Sequence, residues 1–286
     1  MVMSMTACNL CGGTAWTVLE DATPTRVVRC VCDLVFVTPL PSRPVIESAY
    51  DARYYQEWRS QDDARRRMWA VRMQLVESYR AEKGTLLDIG CGDATFLRLA
   101  RSHGWQTAGT ELSPYASQAS PDLAIHRGEV WEAGLPSGSF DVVTCWHVIE
   151  HVSDPLRLLL ELFRLLRPHG RLFLATPNMQ DYLFRIAYVM TRGRWPPLYE
   201  PDERELHLYY FNSTTLRALA EKAGFSEVTV GYDKGAAVTP AKRLVDRLAY
   251  WWYRATGLHW GMGLQLIARK PGAAQAAPTA QRASFS

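Results

Sequence analysis

Long apolar runs are missing from this chain of 286 residues: the most apolar stretch, Leu156 to Leu166, is broken by Arg157, Glu161 and Arg164. A membrane span is thereby excluded. Met1 to Thr6 lacks the basic start and apolar run of a signal peptide, so the chain is expected to be cytoplasmic. Charge of one sign is missing too. The 32 bases, only five of them Lys, face 29 acids for a net charge of +3, and no long basic stripe marks a nucleic-acid partner. No internal repeat is visible. What the chain does have is 48% hydrophobic against 21% charged residues, enough for a full core and unlike a disordered or fibrous protein.

Cysteine is scarce, six in all, yet four fall within the first 32 residues as Cys8-Asn-Leu-Cys11 and Cys30-Val-Cys32. A reducing compartment argues against a disulfide framework. In a segment too short to own a core, a tetrahedral thiolate site would supply the folding energy that packing cannot, so structural Zn on Cys8, Cys11, Cys30 and Cys32 is expected. The second pair has one intervening residue instead of two, and four incidental thiols are the competing reading. No His lies before residue 40 to substitute as a ligand.

Pro39 to Pro44 breaks the chain, and after Tyr50-Asp-Ala-Arg-Tyr-Tyr a helix is expected over Asp62 to Glu82, ending at Gly84. Strands then alternate with helices: Leu86 to Ile89, helix Thr95 to His103, Thr107 to Thr110, a short helix from Pro114, Ala124 to His126, Asp141 to Cys145. Ser153-Asp154-Pro155 starts a helix whose apolar stripe reads Leu156, Leu159, Leu160, Phe163, Leu166, closed by Pro168-His-Gly170. Arg171 to Thr176, helix Ser213 to Lys222, Val228 to Val230 and Leu264 to Ala268 complete the pattern. Such alternation means an α/β, doubly wound, mostly parallel sheet. The expected domains are a zinc-ribbon-like segment over 1–44, a helical linker and lid over 45–84, a ligand-binding domain over 85–271, and a disordered tail over 272–286. Insertions at 178–206 and 235–258 interrupt the main domain. In the second, Leu244, Leu248, Trp251 and Trp252 are expected to pack against the domain; membrane-surface contact through 241–256 is the alternative, given Lys242, Arg243, Arg247 and Arg254.

Leu86-Leu-Asp88-Ile-Gly90-Cys91-Gly92-Asp-Ala94 puts two glycines at a strand-to-helix turn, where backbone amides can approach a ligand at a helix N-terminus. The dinucleotide pattern would need Gly at position 95, which is Thr95, so a nicotinamide cofactor loses its fingerprint. Asp88 would repel a pyrophosphate but suits a cationic amino-acid end. S-adenosylmethionine is therefore the favoured cofactor.

From Thr85 to about Lys270 the chain resembles class I S-adenosylmethionine-dependent methyltransferases through four ordered blocks: Leu86 to Ala94, Gly109-Thr-Glu111-Leu112, Gly128-Glu129-Val130 with Leu135 to Val152, and Leu166 to Asn178. The resemblance implies a Rossmann-like seven-stranded sheet with its last strand antiparallel. It assigns Glu111 to the ribose hydroxyls and Glu129 to the adenine amino group, with Asp88, Gly90, Cys91, Gly92, Leu112, Val130 and His147 lining the cofactor. The cysteine segment, Tyr50 to Tyr55, Trp195 and His207-Leu-Tyr-Tyr-Phe211 are similar to a zinc-ribbon-bearing subgroup that modifies small molecules, in which Cys30-Val-Cys32 departs from the usual spacing.

Transfer from a sulfonium needs alignment and, for a hydroxyl acceptor, removal of a proton. The expected bases are His151, then His207, while Glu150 is expected to hold a loop. O-methylation of a small molecule in a glycan, secondary-metabolite or quinone pathway is the leading expectation. A zinc-ribbon RNA methyltransferase is the alternative, weakened by the modest charge and by Trp146-His147 where many base methylases carry an Asn/Asp-Pro-Pro-Phe/Tyr segment. A non-catalytic cofactor-binding protein would have lost Asp88 and Glu111, and both are intact.

Overall fold

The computed structural model describes residues 7–50, 62–113, 121–199, 206–233 and 240–272. After the strands β1 (Trp16–Ala22), β2 (Thr25–Cys30) and β3 (Val35–Thr38) come helices α1 (Arg43–Ala49) and α2 (Asp62–Tyr79). The alternating segment follows as β4 (Thr85–Ile89), α3 (Thr95–Ser102), β5 (Gln106–Glu111), β6 (Ala124–Arg127), β7 (Phe140–Trp146), α4 (Pro155–Leu165) and β8 (Leu166–Pro177). The remaining elements are α5 (Tyr182–Arg192), β9 (Tyr209–Tyr210), α6 (Ser213–Lys222), β10 (Ser226–Tyr232), α7 (Pro240–Thr256) and β11 (Gly263–Arg269).

Seven strands form one sheet in the order β10-β11-β8-β7-β4-β5-β6. The strands from β6 to β8 run parallel, and β11 is antiparallel to both neighbours, as the family resemblance implies. Every residue of β7 is buried, which is why Phe140 to Trp146 is mostly apolar without strict alternation, its two polar residues Asp141 and Thr144 being buried as well. Strand order reverses beside β4, so the carboxyl ends of β4, β5 and β7 open a crevice where ligands of such sheets bind.

A second, four-stranded sheet has the order β1-β2-β3-β9. Its first three strands come from the cysteine-bearing segment, but β9 comes from beyond the first insertion, so the two parts of the chain share a sheet. Phe36, Leu208, Tyr209 and Phe211 join the same buried cluster as Leu87, Val143 and Leu174 of the large sheet.

Several local expectations are corrected. The core face of α4 is Pro155, Leu158, Leu159, Leu162 and Leu165, while Leu160 is exposed and Leu166 already opens β8. Six leucines in one short helix allow two stripes, and at its start Asp154 accepts from the Arg157 amide at 2.9 Å as the cap. Pro168-His-Gly170 lies within β8 as a kink, with His169 at φ 67°, instead of separating helix from strand. α2 ends at Tyr79, three residues before the expected Glu82. On α7 the inward face is Ala249, with Tyr250 and Tyr253 against Tyr232 and Asp246 bonded to the Tyr232 hydroxyl. Leu244, Leu248 and Trp251 point outward, at 62%, 60% and 70% exposure, contrary to the packing expected of them, and Trp252 stacks on Trp260. The helix expected from Pro114 and residues 273–286 of the tail lie outside the described residues.

Candidate active site

β4 delivers the glycine-rich turn. Gly90 and Gly92 sit at φ 61° and 55°, and Ala94, at the position where the family carries a third glycine, adopts 60° and caps α3. A Cβ on Gly90 would lie 2.5 Å from a methyl of Val148, so this turn tolerates no side chain. Asp93 in the turn is clamped by buried Arg65 of α2 through two bonds of 2.9 and 3.1 Å.

Asp88 is 2% exposed and accepts from the Thr144 hydroxyl at 2.6 Å. Burial pushes its carboxyl up to about 7, against the opposing pull of that hydroxyl and of Arg72. Glu111, at the end of β5, accepts from the Gly92 amide at 2.9 Å through one oxygen and from the Ser113 amide at 2.8 Å through the other. The acid thus braces the turn, and since a carboxylate oxygen can accept more than one bond, bracing leaves it competent toward a diol. Cys91 bonds the Thr110 carbonyl through its backbone and buries its thiol in the core beside Gly109. Leu112 follows Glu111 at half-buried exposure. Glu129 opens the short turn Val130–Glu132, where Val130 is core and burial holds the Glu129 carboxyl above its ordinary range.

After β7 the chain turns at His147, a left-handed residue at φ 55°, whose amide bonds the Ala175 carbonyl at 2.8 Å. Its Nδ1 lies 3.4 Å from Glu150 Oε1 and its Nε2 3.6 Å from Asp233 Oδ2. Burial alone would lower the imidazole, but the Asp233 and Glu150 carboxylates outweigh it and raise His147 to about 9. Conversely, burial would raise Glu150, and the neighbouring imidazoles hold it at about 2. Glu150 is 1% exposed, with one carboxylate oxygen accepting from Thr176 at 3.0 Å and its backbone carbonyl from the Leu208 and Tyr209 amides at 2.7 and 3.1 Å.

His151 Nδ1 lies 2.9 Å from the Leu206 carbonyl. A carbonyl can only accept, so Nδ1 carries a proton, and Nε2 lies 3.8 Å from Glu150 Oε1. The His207 ring is 4.9 Å from that of His151, and Tyr50 stands edge-on to His151 at 5.9 Å. One ligand atom each from Glu150, His151 and His207 falls within a 4.8 Å group, close enough for one cation to lie among them. The two imidazoles expected as bases are therefore brought together.

One group escaped the sequence reading. Arg72 of α2 is 1% exposed, sits 5.1 Å over Trp69 and 4.7 Å over Trp146, and pairs with Asp233 at 3.2 Å. It forms the floor beneath His147 and faces Asp88 with positive charge.

In the N-terminal segment the Sγ atoms of Cys8 and Cys32 are 3.6 Å apart, those of Cys11 and Cys30 3.5 Å, and all four lie within 4.8 Å. Four sulfurs about 2.3 Å from a tetrahedral Zn stand roughly 3.7 Å from each other, so the donor set fits. The shortened spacing is absorbed by a tight turn in which the Asp33 amide bonds the Cys30 carbonyl at 2.9 Å and Asp33 is left-handed at φ 70°. The Gly13 amide reaches Cys11 Sγ at 3.3 Å.

Strand order, glycine turn and the acids closing β4 and β5 together define a class I S-adenosylmethionine-dependent methyltransferase. Residues 55–230 match the family described as a methyltransferase domain, and the chain belongs to it. It is 32% identical over 178 residues to a "Probable S-adenosylmethionine-dependent methyltransferase" of Mycolicibacterium smegmatis, covering 59% of this chain and 64% of that protein. It is 34% identical over 130 residues to a ubiquinone biosynthesis O-methyltransferase of Xanthomonas campestris, covering 42% and 54% respectively. The chain thus spans between half and two thirds of the length of these curated relatives. Among solved structures, a SAM-dependent methyltransferase of Thermotoga maritima, described as a "possible histamine N-methyltransferase", shares the fold at a TM-score of 0.54 and 19% identity. That match covers 80% of this chain and all of the other.

Proposed function

We propose that this chain transfers a methyl group from S-adenosylmethionine to the hydroxyl of a small-molecule acceptor. The observation that carries the reading is a division of labour along the carboxyl ends of the strands: buried acids at the ends of β4 and β5, and the Glu150-His151-His207 cluster just past β7. S-adenosylmethionine, when bound, supplies a methyl group already activated by a sulfonium. Asp88 and Glu111 hold the cofactor's cationic and ribose ends, Glu129 takes the adenine amino group, and Gly90 and Gly92 let the backbone close around it. His151, its tautomer set by Leu206, takes the acceptor's proton at Nε2, and His207 supports or replaces it. Glu150 keeps the two imidazoles oriented, a role its buried hydrogen bonds suit better than titration.

The name of the Xanthomonas relative, a ubiquinone biosynthesis O-methyltransferase, supports oxygen as the acceptor atom and a quinone pathway as one setting alongside glycan and secondary-metabolite pathways. The four thiolates hold a structural Zn. No helix among the described residues is long and apolar enough to cross a membrane, and we take the protein to act in the cytoplasm. Net charge of +3 gives no support to an RNA acceptor. Isothermal calorimetry with S-adenosylmethionine, its demethylated product and NAD tests the reading. Heat is expected with the first two alone; binding of NAD with silence toward both sulfur ligands would overturn it.

A further inference from the structure

The cysteine-bearing segment is joined to the proposed catalytic pair by main-chain bonds. β3 pairs with β9 through Val35 with Tyr210 and Phe36 with Tyr209, and the Val37 amide donates to the Leu208 carbonyl at 2.9 Å. On its other edge the same short stretch is bound to the catalytic loop: the Leu208 amide donates to the Glu150 carbonyl at 2.7 Å, and the Leu206 carbonyl accepts from His151 Nδ1 at 2.9 Å. His207 lies between these two residues. Its place opposite His151 is thus set by a strip of chain held between β3 and the residues after β7.

Side chains reinforce both faces. Val35 and Val37 point to one side of β3 and pack with Val27, Tyr199 and Leu206, while Phe36 points to the other and meets Trp16 and Tyr209. The first cysteine knuckle is tied to the same strip: the Tyr209 hydroxyl donates to Asn9, between Cys8 and Cys11, at 3.0 Å, and lies 3.1 Å from the Ser153 carbonyl. Asn9 in turn donates to Asp154 at 2.8 Å, and Lys222 donates to the Leu10 carbonyl at 2.6 Å. The second knuckle is tied through Asn212, which donates to Asp33 at 2.6 Å.

We infer that the four-cysteine segment is a positioning element for proton removal: its sheet, completed by β9, holds His207 against the Glu150-His151 pair. This rests on the reading of those imidazoles as the proton-handling groups. Displacement of a reacting group by about 1 Å can cost roughly a hundredfold in rate, so loosening a strip three residues long is enough to matter. The cofactor acids belong to β4 and β5, whereas the main-chain bonds that hold this strip come from β3 and from the residues after β7, so cofactor affinity is the quantity that stays put.

The test uses the full chain with two variants. Val37→Pro removes the donor to Leu208 while leaving the cysteines in place, and Tyr209→Phe keeps the ring but removes the tie to Asn9; the second serves if the first does not fold. Three quantities are compared with wild type: S-adenosylmethionine affinity by calorimetry, the ring proton signals of His207 and His151 by NMR, assigned with His207→Gln, and turnover. Expected are an affinity within about twofold, displaced or broadened ring signals, and a kcat lower by about tenfold or more with the KM for cofactor unchanged. Ring signals and kcat at wild-type values in both variants would overturn the inference. The ring signals need no acceptor. A chain that methylates nothing but shows them displaced would sink the proposed reaction alone, whereas active variants with unmoved signals would sink only the positioning role.

Discussion

Replacing Asp88 by Asn separates what the buried carboxyl costs the fold from what it does for the ligand. Asp88 is 2% exposed and burial raises its pKa from 3.8 to about 7. Between those values the folded chain keeps a proton that the unfolded chain has lost, so the unfolded state binds fewer protons and stability falls as pH rises from about 4 to about 7. At 1.36 kcal/mol per unit, a shift of roughly three units corresponds to a cost on the order of 4 kcal/mol once Asp88 is ionised. The Asn side chain keeps an oxygen for the Thr144 hydroxyl and never ionises. The ligand-free variant should therefore match wild type near pH 4 and exceed it by up to about 4 kcal/mol at pH 8, as measured by urea unfolding at both pH values. Cofactor affinity should move the other way. Losing a charge-assisted contact of about 1.5–3 kcal/mol weakens S-adenosylmethionine binding by roughly tenfold to a hundredfold at pH 8, and wild-type affinity itself should decline as pH falls below about 7. A variant that is no more stable at pH 8 and binds the cofactor as tightly as wild type would refute the assignment of Asp88.

Gly90→Val should abolish detectable cofactor binding in calorimetry, because position 90 is left-handed and a Cβ there would meet Val148 at 2.5 Å; binding within threefold of wild type would show that the turn rearranges freely. Elemental analysis of protein purified without added metal should give one Zn per chain, and Cys11→Ser should lose it and become sensitive to protease at the N-terminal segment. A metal-free preparation with full protease resistance would return the cysteines to incidental thiols. His151→Ala should lower turnover by about 10² to 10⁴ with cofactor affinity nearly unchanged. Turnover within about threefold of wild type would mean that alignment alone drives transfer, and His207→Ala would be the next substitution.

The glycine turn and the acids beside it were legible because the signal is local: Asp88, Gly90 and Gly92 sit within five residues, and Glu111 closes the next strand. The doubly wound, mostly parallel class followed from alternation, since a parallel sheet needs a crossover between neighbours. The floor of the site was hidden for the opposite reason. Arg72 and Asp233 are 161 positions apart, and each reads as an ordinary surface charge until Trp69 and Trp146 are seen to bury the pair. β9 has only two residues, too few for a period-2 signal, so its pairing with β3 left no trace in the pattern. On α7 periodicity was read correctly and its direction was not. Large apolar residues line one side and Ala249 with three tyrosine contacts the other, and the protein buries the second.

The most direct test of the account is to incubate the purified chain with S-adenosylmethionine carrying a deuterated methyl group and a metabolite extract, and to follow the products by mass spectrometry. The account predicts a small-molecule product that gains the labelled methyl group on oxygen, together with the demethylated cofactor, in amounts that fall sharply with Asp88→Asn and His151→Ala. Labelled methyl appearing only in RNA, or a chain that binds the cofactor and yields no labelled product from any extract, would contradict it.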